Sequence, residues 1–228
     1  MTDPEALRRS AVADVIRRER LVAVLRRIAP QDRLVALVEE LADAGVRVFE
    51  VTFDAPTAAA DLRACRAAIR AGSDDALVGA GTIRSVDTLA AAVDAGADFG
   101  VSPLLEPSVL EAALTRGLPF VPGALSPTEI DAAWRAGATF VKLFPASSLG
   151  PGHVRELRGP MPAVELIPTG GLDGTTAGAF LAAGAVAVGI GGALVGASAA
   201  ERAGIVAAVR AAPPVLPARP VIPERPVP

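Results

Sequence analysis

Eight short β-rich runs, each followed by a helical pattern and seven of them preceded by a glycine, predict an α/β fold whose parallel strands close into a TIM (β/α)8 barrel. The glycines at 45, 72, 96, 117, 137, 159 and 184 lie 20 to 27 residues apart, one βα unit per interval. Glycine just past a helix end supplies a left-handed cap. The 228 residues suffice for a single barrel. An open doubly wound sheet is the competing architecture, discounted because no Gly-x-Gly-x-x-Gly follows the first strand.

Residues 4–19 read as an extra, charged, Ala-rich helix ahead of the first strand, Leu21–Arg26. The later runs are Val46–Phe53, Ala76–Thr82, Phe99–Pro103, Pro119–Gly123, Thr139–Phe144, Ala163–Thr169 and Ala185–Ile190. Residues 1–212 form one domain on this reading. From 213 to 228 the chain is a proline-rich tail, with Pro214, Pro217, Pro220, Pro223 and Pro226 at the three-residue period of a polyproline II helix. The tail reads as an extended appendage outside the fold.

A net charge of −3, no basic block and 4% aromatic residues give no footprint for nucleic acid. No apolar stretch reaches membrane-span length, and the first residues form no signal peptide, so the expected location is cytoplasmic. Cys65 is the single cysteine and His153 the single histidine. No disulfide or metal-ligand cluster can be assembled, and no cofactor or metal is called for.

The chain has 21 arginines and one lysine, Lys142, inside the apolar run Thr139–Pro145. Arginine is effectively always protonated, whereas lysine can shed its proton and attack a carbonyl to form an imine. Strand alternation predicts which groups share Lys142's interior. Val22, Val24 and Arg26 share one face of the first run, and Val48, Glu50 and Thr52 one face of the second. Val78, Ala80 and Thr82 do so in the third, Phe140, Lys142 and Phe144 in the sixth, and Glu165, Ile167 and Thr169 in the seventh.

Barrel chemistry collects at the C-terminal strand ends, so one amine, one carboxylate, one guanidinium and several hydroxyls converge on one mouth. That set suits imine chemistry on a 2-oxo acid. Lys142 would be the nucleophile, Arg26 the carboxylate ligand and Glu50 the proton shuttle. A buried ion network around Glu50 is the structural alternative. Gly170 and Gly171, with Gly191 and Gly192, follow the last two strands, where barrels of this kind hold phosphate.

Gly45-Val-Arg-Val-Phe-Glu-Val-Thr52, Val78-Gly-Ala-Gly-Thr82, Val101-Ser-Pro103, Val121-Pro-Gly123, Val141-Lys-Leu-Phe-Pro145, Pro168-Thr-Gly-Gly171 and Gly189-Ile-Gly-Gly192 run in order across residues 20–195. Together they resemble the 2-keto-3-deoxy-6-phosphogluconate (KDPG) aldolase family. The resemblance implies a homotrimeric class I aldolase that yields pyruvate and glyceraldehyde 3-phosphate, and in some members pyruvate and glyoxylate from 4-hydroxy-2-oxoglutarate. It implies Lys142 and Glu50 as the catalytic pair, and substrate contacts from Arg26, Thr82, Pro103, Phe144, Thr169, Gly170, Gly171, Gly191 and Gly192.

Two positions depart from the gluconate pattern. Asp54 stands where that type carries a carboxylate-binding arginine, and Ala193 where it carries a serine. Arg26 before Pro30, together with Ser147-Ser-Leu-Gly-Pro151, resembles the galactonate-type (KDPGal) branch. His153 reads as an exposed helix residue, and Cys65 and Trp134 as packing residues of the outer layer. Rival readings are another phosphate-binding barrel, an isomerase or synthase, and a non-catalytic trimeric scaffold or effector binder.

Overall fold

In the computed structural model, residues 4–70 and 75–213 are described. Gly72 and the tail from 214 onward lie outside them.

Helix α1 (Pro4–Glu19) precedes β1 (Leu21–Leu25), α2 (Gln31–Asp43), β2 (Val48–Thr52), α3 (Ala58–Arg70) and β3 (Leu77–Gly81). There follow α4 (Val86–Asp94), β4 (Gly100–Val101), α5 (Pro107–Thr115), β5 (Phe120–Val121), β6 (Gly123–Ala124), α6 (Pro127–Arg135) and β7 (Val141–Leu143). After a 3-10 turn at Ala146–Ser148 come α7 (Gly150–Leu157), β8 (Leu166–Pro168), α8 (Gly174–Ala182), β9 (Val188–Ile190), the short α9 (Gly192–Val195) and α10 (Ala199–Ala211).

Six parallel strands form one curled sheet in the order β5-β4-β3-β2-β1-β9, and three form a second in the order β6-β7-β8. A parallel bridge between Thr169 and Gly189 links the β8 edge to the β9 edge. On the other side, β5 and β6 are one run divided at Pro122, which has no N–H to give a ladder. The Pro122 carbonyl still accepts the Lys142 N–H at 2.9 Å. The result is a TIM-like parallel α/β fold.

Two buried clusters divide the apolar residues. The larger lies between strands and helices and takes Leu21, Ala23, Leu25, Phe49 and Val51 from the outward faces of β1 and β2, together with Cys65 of α3. The smaller fills the interior with Val22, Val48, Phe99, Val101, Phe140 and Ile167, and α1 covers it from below with Val12, Ala13 and Ile16. Arg17 of α1 fastens this base by an ion pair with Glu165 at 2.6 Å. Alternation in β1, β2 and β7 thus follows the sequence pattern.

In β3 the expected face is reversed. Val78 and Ala80 belong to the outer cluster, and the inward positions are Gly79 and Gly81. A Cβ on Gly79 would lie 2.5 Å from the Phe99 ring, and one on Gly81 would lie 2.6 Å from Glu50 Cδ. Glycine there leaves room for side chains of neighbouring strands. Thr82 reaches the mouth by a different route: its φ of 59° places it in the left-handed region and breaks the alternation.

Helix ends follow the sequence more closely. Gly45, Gly96, Gly117, Gly137 and Gly184 all have positive φ, as the recurring Gly signal predicts. Gly159 does not follow suit, because Pro160 comes next and the chain continues through turns before β8.

Arginines from other elements donate to several of these cap carbonyls. Arg9 reaches Gly137 O at 3.0 Å, Arg158 reaches Gly184 O at 3.1 Å and Arg210 reaches Gly45 O at 3.1 Å. Arg66 reaches Gly96 O and also Asp98 at 2.7 Å. A planar guanidinium can serve two acceptors in a fixed geometry, which gives the arginine-rich composition a structural use.

Arg20 donates to Ala212 O and Pro213 O at 2.7 and 2.8 Å. The described chain therefore ends beside the start of β1, on the face opposite the strand ends that carry the site. No described helix is long and apolar enough to cross a membrane.

Candidate active site

A cavity of about 750 Å³ opens at the C-terminal ends of the strands. Its lining includes Arg26, Thr82, Pro103, Lys142, Phe144, Thr169, Gly170, Gly171, Gly191 and Gly192. Every site residue anticipated from sequence is in this wall except Glu50. That carboxylate lies under the floor, where Lys142 and Thr169 also border a small internal void.

Lys142 is the middle residue of β7, between Gly123 of β6 and Ile167 of β8. It is 4% exposed, and Glu50 is 2% exposed. Lys142 Nζ stands 3.6 Å from Glu50 Oε1 and 5.4 Å from the centre of the Phe144 ring. Glu50 Oε1 is buried without a hydrogen-bond partner among the described residues. A buried carboxylate oxygen of this kind is costly to leave unmatched, and it faces the amine across a gap slightly longer than a hydrogen bond. Thr169 Oγ1 donates to Ile167 O at 3.3 Å, which fixes the rotamer of the wall beside Lys142.

Arg26 follows directly on β1. Its Nη1 is 2.8 Å from Asp54 Oδ2, and its Nη2 donates to Thr82 Oγ1 at 3.3 Å. Arg27 Nε shares the same Asp54 oxygen at 3.1 Å. Asp54 therefore does not face water idly: it holds two guanidinium groups at the mouth. Burial alone would raise its carboxyl, but the nearby Thr52 hydroxyl and the charges of Arg26 and Arg27 outweigh that and hold it below the usual carboxylate range. The sign follows: the Asp54 contacts are intact above the ordinary carboxylate pKa and are lost only as pH falls through the depressed value.

Sequence reasoning missed Arg84, Leu104, Leu172 and Asp173, which also line the cavity. For Arg84 the available signal was its place two residues after Thr82 and directly before Ser85, the residue that caps α4. Asp173 caps α8, accepting from Thr175 N and Thr176 N at 2.9 and 2.8 Å. Asp-x-x-Thr ahead of a helical run is a readable capping pattern. The backbone and side-chain hydrogen bonds of Thr176 hold the Asp173 carboxyl below its ordinary range. Cations thus line the cavity at Arg26, Arg84 and Lys142, and the carboxylate in its wall is Asp173.

His153 is half-buried, contrary to expectation, with Nε2 3.3 Å from Leu125 O. It packs against the loop before α6, because α7 lies close over that loop. Cys65 is fully buried in the outer cluster, and burial, with Asp61 nearby, pushes its thiol up to about 12. Among the described residues, no group of three His, Cys, Asp or Glu side chains is placed to hold a metal ion.

The chain is similar to known proteins in sequence and fold. The family model for KDPG and KHG aldolase matches residues 12–211. The 2-dehydro-3-deoxy-phosphogluconate aldolase of Treponema pallidum is 39% identical over 169 residues, 74% of this chain and 74% of the relative. The 2-dehydro-3-deoxy-6-phosphogalactonate aldolase of Escherichia coli is 30% identical over 172 residues, 75% of this chain and 82% of the relative. A Legionella pneumophila KDPG aldolase, solved with pyruvate captured as a covalent carbinolamine, superposes with a TM-score of 0.73 at 26% identity, over 88% of this chain and 97% of that one. The chain belongs to the KDPG and KHG aldolase family.

Proposed function

We propose that this class I pyruvate aldolase cleaves a 2-keto-3-deoxy-6-phospho-sugar acid to pyruvate and glyceraldehyde 3-phosphate, and 4-hydroxy-2-oxoglutarate to pyruvate and glyoxylate. The observation that carries the reading is the Lys142 amine, buried 3.6 Å from a carboxylate with an unmatched oxygen, at the floor of a cavity entered past arginines.

Lys142 Nζ adds to the C2 carbonyl of the substrate, whose carboxylate pairs with Arg26. Glu50 passes a proton to the carbinolamine oxygen, which leaves as water, and the imine forms. Glu50 then takes the proton of the C4 hydroxyl. The C3–C4 bond breaks, the aldehyde departs, and the bonding pair moves into the imine to give an enamine. Protonation at C3 and addition of water release pyruvate and restore the amine. The protonated imine is the electron sink throughout. Glu50 Oε1, with no hydrogen-bond partner among the described residues, supports the role of proton carrier because its lone pairs are available to a substrate hydroxyl or water.

Thr82, Pro103 and Phe144 shape the pyruvyl end on this reading, and Thr169, Gly170, Gly171, Gly191 and Gly192 the far end. Arg26, directly after β1, and Asp54 favour the galactonate-type arrangement, which a side-by-side assay of the two phosphorylated epimers tests. The proposal also includes a closed (β/α)8 barrel over residues 1–212, α1 as an addition to it, a passive tail and a cytoplasmic location, each read from the sequence as above, and a homotrimer, which the resemblance supports. Light scattering should then read three chains per particle.

Two substitutions probe the binding roles. Asp54→Asn is expected to loosen Arg26 and Arg27 and raise KM for the 2-oxo acid several-fold, on the order of tenfold at most because these guanidinium groups are partly exposed. The check is steady-state kinetics at neutral pH. Ala193→Ser restores a hydroxyl at the far end, and one added hydrogen bond of about 1 kcal/mol should raise kcat/KM for the phosphorylated substrate roughly fivefold. An unchanged value for that substrate would place its phosphate elsewhere.

A further inference from the structure

We propose that Arg84 forms a second anion subsite in the cavity, one that takes the carboxylate of an aldehyde acid such as glyoxylate when it joins or leaves the pyruvyl group. The inference rests on the aldolase reading above and deepens it by naming the residue that meets the acceptor's acid group.

The three cations of the cavity wall are differently committed. Lys142 lies on the floor against Glu50. Arg26 is held by Asp54 at 2.8 Å and by Thr82 at 3.3 Å. Arg84 has no carboxylate partner among the described residues, although it lines the same cavity. An arginine with five donors and no acceptor among the described residues is suited to an external planar anion, and a carboxylate matches its fork.

The backbone accounts for its position. Thr82 turns out of the β3 alternation with a φ of 59°, and Ile83 is then fully buried in the outer cluster. Arg84 comes back to the cavity side, two residues beyond the hydroxyl that binds Arg26. Arg26, Thr82 and Arg84 thus line the same cavity. With Arg26 on the pyruvyl carboxylate, Arg84 is the neighbouring cation for a second one.

In the condensing direction the enamine carbon bonds to the aldehyde carbon and the aldehyde oxygen takes one proton. Water then hydrolyses the imine, releasing 4-hydroxy-2-oxoglutarate and the free amine, so no further reactant is needed.

The test compares two acceptors of similar size, glyoxylate and the uncharged glycolaldehyde, with pyruvate as donor and the full chain as enzyme. The quantity read is the ratio of their kcat/KM values. Arg84→Met is expected to lower that ratio about tenfold, as loss of one charge-assisted hydrogen-bonded pair does. Arg84→Lys, which keeps the charge, should hold the ratio above that of Arg84→Met. A ratio in Arg84→Met within threefold of the wild-type value overturns the subsite. Borohydride trapping of pyruvate on wild-type Lys142 separates the two levels of the argument. If trapping fails, the aldolase reading falls; if it succeeds and the ratio does not move, the Arg84 assignment alone falls.

Discussion

Lys142→Arg is expected to lower kcat by on the order of 10⁴-fold or more, with the protein still folded. The substitution retains a positive charge opposite Glu50, so it leaves the ion pair of the cavity floor in place in kind. What it removes is a nitrogen lone pair that can add to a carbonyl, since the guanidinium is delocalised and stays protonated. If Lys142 served only to neutralise Glu50, arginine would preserve much of the activity.

The fold also sets a limit on that variant. Lys142 is 4% exposed and Nζ lies over Phe144, so a bulkier head group overfills the floor at a cost of about 1–3 kcal/mol. Thermal unfolding should show this as a lower Tm with one cooperative transition. Residual activity above a hundredth of wild type in a folded Lys142→Arg protein would contradict the imine mechanism.

Gly81→Ala is expected to disable the enzyme although it replaces no polar side chain. The new Cβ would overlap Glu50, only 2.6 Å from its Cδ and Cγ. Gly81 sits in β3 opposite Thr52, so the backbone on either side is pinned by strand pairing and cannot swing away. Glu50 has to move instead, away from the amine 3.6 Å distant. Removing a positioned proton carrier costs roughly 10²–10⁴ in rate, and overpacking costs about 1–3 kcal/mol of stability.

Glu50→Gln provides the reference for this effect, because it keeps the shape and removes the base. The two variants should show kcat losses of similar size, and Gly81→Ala alone should add a stability loss. A normal kcat in Gly81→Ala would mean that the Glu50 position is not critical to proton transfer.

Lys142 was legible because composition isolated it: 21 arginines against one lysine, within an apolar run. Glu50 and Arg26 were legible because β1 and β2 alternate strictly and both pair in regular parallel register with their neighbours. The same rule misassigned β3. Apolar residues alternate with glycine there, and the sequence does not state that the glycines face inward to admit Glu50 and Phe99. Interior volume is shared among strands, so one strand's pattern is settled by the side chains of the next.

Arg84 was missed for a related reason. Thr82 leaves the strand through a left-handed conformation, so counting alternate residues past the strand end gives no direction. His153 was misjudged because helix position alone does not reveal how closely α7 lies over the loop at Leu125. The tail beyond Pro213 lies outside the described residues, and its proline period stands as a property of the sequence.

Borohydride reduction in the presence of pyruvate tests the central claim most directly. The account predicts an irreversible pyruvyl adduct on the peptide that contains Lys142, found by mass spectrometry, with loss of activity in step with labelling. Recovery of unmodified, active protein after the same treatment would contradict it.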